Sequence, residues 1–152
     1  MVNKKIIYAF GGILVLALLI FTIPKYFAGN VTASSNLTSD IEKIEIIHFH
    51  GTHQCVSCKT VGAYAEETVT AFFSDELKSG KLIFASVNID LPENKALVDK
   101  YGATGSSLLI GAYGSDGSFS KQEDSAVWYK IENKEDYMNY LKGVIENKLS
   151  GK

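Results

Sequence analysis

The chain has 152 residues, enough for one folded domain beside an apolar N-terminal segment. All 15 of its basic side chains are lysines, and beyond residue 27 there are 12 of them against 17 carboxylates, a net charge of −5. Phosphate and base-edge recognition depend on clustered positive charge and on the guanidinium fork, so nucleic acid is excluded as a partner class.

Residues 6–23 (IIYAFGGILVLALLIFTI) carry no charge, follow Lys4 and Lys5, and end at Pro24 and Lys25. At about 1.5 Å of rise per residue such a stretch crosses a hydrocarbon core of about 30 Å, which predicts a transmembrane helix with 1–27 as the anchor. A cleavable signal peptide has a shorter apolar stretch, about 7 to 15 residues, closed by small side chains. Tyr26-Phe27-Ala28 does not offer that closure, and Val31-Thr32-Ala33 is a weak alternative. The lysines before the helix outnumber those close behind it, which predicts that the domain faces the extracytoplasmic side. Asn30-Val31-Thr32 and Asn36-Leu37-Thr38 match the glycosylation acceptor pattern and fall on that side. Residues 28–40 hold few large apolar groups and read as a flexible linker, leaving 41–152 as the folded domain.

Ile41 to His50 (IEKIEIIHFH) is a central strand, because a strand covered on both faces loses clean alternation. Gly51-Thr52-His53-Gln54 breaks the run and leads into Cys55. From about Cys55 to Lys78, Val61, Ala65, Val69 and Phe72 recur at helical spacing, which predicts one long helix ended by Ser79-Gly80. Lys81 to Ile89 is a second strand. Pro92 opens a short helix that runs to about Tyr101 and stops at Gly102.

Ser107 to Tyr113 is a third strand, and Gly114-Ser115-Asp116-Gly117 turns the chain into a fourth near Ala126 to Ile131. Trp128 and Tyr129 are expected between that strand and the last helix. Asn133 caps this helix, whose apolar stripe is Tyr137, Leu141, Val144, Ile145 and Leu149. The order predicts an α/β domain with a four-stranded mixed sheet and flanking helices.

Cys55 and Cys58 are the only cysteines. A bridge between them closes a loop of about four residues, at the weak end of the entropic relation, so chemistry explains the pair better than stability. At a helix start, unpaired N–H groups and the positive end of the helix dipole favour thiolate at Cys55. Cys55 is then the nucleophile, and Cys58, one turn on, is the resolving thiol. His53 would lower the Cys55 pKa further if it is near and protonated. Zinc sites share the CxxC spacing, but a position after a central strand and at the head of a long helix is more specific for redox work.

His48, His50 and His53 are the only histidines and lie within six residues of each other. Positions 48 and 50 share one side of a strand. Cys55 and Cys58 with His50 or His53 form the alternative donor set, suited to zinc or copper. His48 reads as a hydrogen-bonded core residue. There is no phosphate loop, no Ser-His-Asp order and no sign of a flavin or nicotinamide site.

The stretch from Ile44 to about Ile131 resembles the thioredoxin-fold family. The likeness is carried by Cys55-Val56-Ser57-Cys58-Lys59, by Val87-Asn88-Ile89-Asp90 at a strand end, and by Lys100-Tyr101-Gly102-Ala103-Thr104-Gly105. It implies a thioredoxin-like fold and thiol–disulfide exchange with a protein or small-molecule partner, without a separate cofactor. This sequence departs from the family pattern at Gln54, where an aromatic residue is usual, and in having no proline between the cysteines. It departs again at Ser107, preceded by Ser106, where the family has its cis-proline. Hydroxyls there either tune the neighbouring sulfur or bond to the backbone, and the missing ring opens that side of the sulfurs to a metal.

More narrowly, His50-Gly51-Thr52 before the cysteine pair resembles the ArsF family of nitrophenyl-compound nitroreductase subunits, which implies electron transfer to a partner. The sequence thus predicts a membrane-anchored extracytoplasmic thiol–disulfide oxidoreductase or electron-transfer protein. The rivals are a metal-binding module and a redox-inert adaptor.

Overall fold

The computed structural model describes residues 40–151; the predicted anchor, the glycosylation acceptors and nearly all of the linker lie outside them. Among the described residues no helix is long and apolar enough to cross a membrane.

Chain order is β1 (Ile41–His50), α1 (Val56–Phe72), α2 (Ser74–Ser79), β2 (Leu82–Asn88), a 3₁₀ turn (Pro92–Asn94), α3 (Lys95–Tyr101), β3 (Ser107–Gly114), β4 (Phe119–Glu123), a 3₁₀ helix (Ser125–Tyr129) and α4 (Lys134–Leu149). The strands lie in the order β2-β1-β3-β4. β1 runs parallel to β2 and antiparallel to β3, and β4 is antiparallel to β3. This is the four-stranded mixed sheet of a thioredoxin-like α/β fold.

The period of two along β1 divides the core. Ile44 and Ile46 pack with Val61, Ala65 and Val69 of α1 and with Tyr137, Leu141 and Ile145 of α4. Ile47 and Phe49 pack on the opposite face with Val87, Tyr101, Ala103 and Leu109. Fully burying one such side chain contributes about 1.5–3 kcal/mol, so covering both faces of β1 is a main source of stability. The Tyr137 hydroxyl donates to the Val61 carbonyl at 2.9 Å and ties α4 to α1.

Two elements differ from expectation. The single helix predicted over 55–78 is broken at Phe73, whose backbone leaves helical geometry at φ −130° and ψ 35°. That bend turns the Phe73 ring inward, where it is 4% exposed, and α2 restarts with Asp75 and Glu76 in its first turn.

The fourth strand is Phe119–Glu123, not Ala126 to Ile131. Gly117 takes φ 82°, a left-handed conformation that glycine adopts without strain, and the Gly114 N–H donates to the Ser118 carbonyl at 3.0 Å. The turn therefore pairs Tyr113 with Phe119 at once, and the strand follows immediately. All five residues of β4 are exposed, so no apolar alternation marks it. The segment 126–131 looks strand-like by composition, but the Asp124 carboxylate accepts the Ala126 N–H at 3.1 Å and starts a 3₁₀ helix. Val127 points into the core and Trp128 packs against it, whereas Tyr129 is 89% exposed and does not reach the last helix.

Candidate redox site

The C-terminal ends of the parallel strands β1 and β2 carry the site. Pairing fixes His50 opposite Asn88, and the Ile89 N–H donates to the His50 carbonyl at 2.8 Å. The next four residues leave the sheet and deliver Cys55 to the N-cap of α1. There Cys55 is extended, at φ −71° and ψ 167°, and its Sγ accepts the Cys58 N–H at 3.1 Å. Sulfur takes the place of the oxygen that usually caps a helix, beside the positive end of the helix dipole. Cys55 and Cys58 form a disulfide with Cα atoms 5.2 Å apart; Cys55 is exposed and Cys58 half-buried.

His48 lies beneath α1 and is 2% exposed. Its Nδ1 is 3.3 Å from the Ser86 hydroxyl, and its Nε2 is enclosed without a partner. The expected hydrogen-bonded core histidine is thus bonded through one nitrogen only. Burial pushes its pKa down to about 4, neighbouring His50 pushes the same way, and the Cys58 backbone opposes them. The ring is neutral at pH 7. His50 stacks on it with ring centroids 5.4 Å apart and donates from Nδ1 to the Gly51 carbonyl at 2.9 Å.

His53 is exposed in the loop before Cys55. Among the described residues no group of three or more His, Cys, Asp or Glu side chains is placed to hold a metal ion. The two sulfurs are brought together, but His50 and His53 are not gathered with them into a donor set.

Ser107 opens β3 opposite Phe49 and is buried, with its hydroxyl 3.4 Å from the Gly105 carbonyl. The Ser106 hydroxyl is enclosed and without a partner. A cavity of about 360 Å³ runs along this segment, between Thr104, Ser106 and Ser107 on one side and Lys121 and Glu123 on the other. A second, of about 230 Å³, opens beside α1 between Gln54, Lys59, Glu66 and Ser86.

Contacts that the sequence did not disclose also shape the site. The Asp90 carboxylate accepts the Thr52 N–H at 2.7 Å, and Asn88 Nδ2 donates to the Thr52 hydroxyl at 3.1 Å. Gly62, in the middle of α1, leaves room for His48. The sequence signal for the second was a glycine interrupting a helical pattern, which usually has a packing reason.

No protein-family model matches this chain, and no curated protein matches it. Among solved structures it is similar to the Trx4 domain of ERdj5, at 13% identity and TM-score 0.45 over 70% of this chain and 82% of that one. It is also similar to a thioredoxin from Thermus thermophilus, at 17% identity and TM-score 0.44 over 70% and 76% of the two chains. The zinc-bound form of human ERp44 matches at 15% identity and TM-score 0.44, with 73% of this chain covering 30% of that one.

Proposed function

We propose that this thioredoxin-fold chain is a thiol–disulfide oxidoreductase, anchored by residues 6–23 with its domain outside the cytoplasm. The observation that carries the reading is the placement of Cys55: an exposed sulfur at a helix N-cap, facing the Cys58 N–H at 3.1 Å and already bridged to a half-buried partner. Charge flanking the apolar segment supports the outward orientation, and such a compartment suits disulfide chemistry.

In the reduced protein the Cys55 thiolate attacks one sulfur of a substrate disulfide. That S–S bond breaks, one substrate thiolate leaves with its electron pair, and a mixed disulfide forms. The Cys58 thiolate then attacks the Cys55 sulfur, releases the second substrate thiolate and restores the internal disulfide. Two electrons pass to the substrate, and the released thiolates take up the two protons lost by Cys55 and Cys58. The reverse sequence oxidises a dithiol. The cysteine pair is itself the redox group, so neither direction needs a resident cofactor. The resemblance at His50-Gly51-Thr52 extends the proposal to a partner protein that draws electrons from this pair.

Equilibration of the full-length chain in glutathione buffers, followed by alkylation, tests the reading. One two-electron transition of the pair is expected, together with turnover of a small disulfide that Cys55→Ser abolishes. Turnover surviving that substitution would place the chemistry elsewhere.

A further inference from the structure

We infer that Asp90 is a positioning residue for Cys55, its carboxylate holding the loop that presents the nucleophile to its capping N–H. The inference rests on the exchange reading above and adds a residue to it.

The ladder holds the chain as far as His50, and α1 holds it from Cys55 onward. Between them the Thr52 N–H donates to Asp90 Oδ2 at 2.7 Å, a charge-assisted bond. The clamp is itself braced. Asn88 donates to the Thr52 hydroxyl at 3.1 Å and accepts the Asp90 N–H at 3.0 Å, and Asn94 donates to the Asn88 carbonyl at 2.8 Å. Two side chains from the end of β2 and just after it, Asp90 and Asn88, thus hold Thr52, three positions before Cys55, while Asn94 braces the Asn88 backbone.

That loop sets the direction from which the chain reaches the N-cap. Sγ of Cys55 meets the Cys58 N–H only while the Cys55 backbone keeps its extended geometry, with the Cys55 carbonyl accepting the Lys59 N–H at 3.1 Å. A loosened loop weakens the hydrogen bond that stabilises the thiolate, and the Cys55 pKa rises.

Charge alone predicts the opposite sign. An ionised carboxylate near a thiolate disfavours it, so if Asp90 acted only through its field, removing the charge would activate Cys55. Asp90→Asn and Asp90→Ala separate the two effects, since Asn keeps an acceptor for the Thr52 N–H and Ala does not.

The test uses the full-length chain with Cys58→Ser, so that Cys55 is the single thiol, and measures its rate of reaction with iodoacetamide across pH. Asp90→Ala is expected to raise the apparent Cys55 pKa by about one unit, read as a shift of the whole pH–rate profile, which for a parent pKa of about 7 lowers the thiolate fraction at pH 7 about fivefold and slows alkylation by a few-fold. Asp90→Asn is expected to restore most of the parent rate. The inference is overturned if both variants match the parent or both react faster. A parent Cys55 that titrates as a free thiol, near about 8.5, overturns the exchange reading and the inference with it. An activated parent with unchanged Asp90 variants overturns the inference alone.

Discussion

The His48 imidazole fills the space that a side chain at position 62 would occupy: a Cβ added to Gly62 would come within 2.6 Å of Cε1. Both partners are buried, one on the central strand and one in the helix that opens with Cys55. The two residues therefore set how closely α1 approaches the sheet beneath the cysteines.

Gly62→Ala tests this packing. In an unconstrained helix interior the change stabilises by about 1 kcal/mol, whereas overpacking a core costs about 1–3 kcal/mol. Net destabilisation is expected in urea unfolding, together with relief of the penalty in a His48→Ala background. A coupling energy of about 0.5–3 kcal/mol in the double-mutant cycle is the signature of direct contact. Independent, additive effects would contradict it.

His48 also predicts a pH dependence. Its folded pKa of about 4 lies below the ordinary 6.5, so the folded state resists protonation where the unfolded chain accepts it. The stabilising effect is complete above about 6.5 and is lost as pH falls through about 4, a change of about 3 kcal/mol. Unfolding free energies from pH 7 to pH 4 should show this slope for the parent and not for His48→Leu. An equal slope in both proteins would contradict the assignment.

Glu45 acts in a lower window. Burial works to raise its pKa, but Lys43 at 2.8 Å and the hydroxyls of Tyr101 and Tyr113 at 2.7 and 2.6 Å outweigh that and hold it at about 2. Being depressed, it contributes stability above about 4.5 that is lost as pH falls toward 2. Glu45→Gln should cost about 1–3 kcal/mol at pH 7 and flatten stability between pH 4.5 and pH 2. Retention of the full acid slope in Glu45→Gln would show that other carboxylates carry it.

Much of the fold is legible because its signals are local. The apolar run of β1 and the turn at Gly114 to Gly117 are patterns within a few residues, and so is the Asn133 cap, whose side chain accepts the Asp136 N–H at 3.1 Å. The edge strand β4 was not legible: FSKQE has no apolar face, and its place follows from turn register rather than composition. Its neighbour 126–131 misleads for the opposite reason, since only Val127 of that apolar cluster turns fully inward.

At the site, the cysteine pair and its placement at a helix start were readable. The clamp was not, because Asp90 and Thr52 are 38 residues apart and meet only when β1 and β2 pair. The contact between His48 and Gly62 likewise depends on how α1 lies over the sheet.

In the proposed exchange centre Cys55 is the attacking sulfur and Cys58 the resolving one. Expressing the full-length chain with Cys58→Ala in its native cells and separating the products without reductant tests this assignment. Covalent adducts through Cys55 are predicted, released by reductant and absent when Cys55→Ser is added. A Cys58→Ala chain that stays free of adducts in cells with active disulfide metabolism would contradict the account.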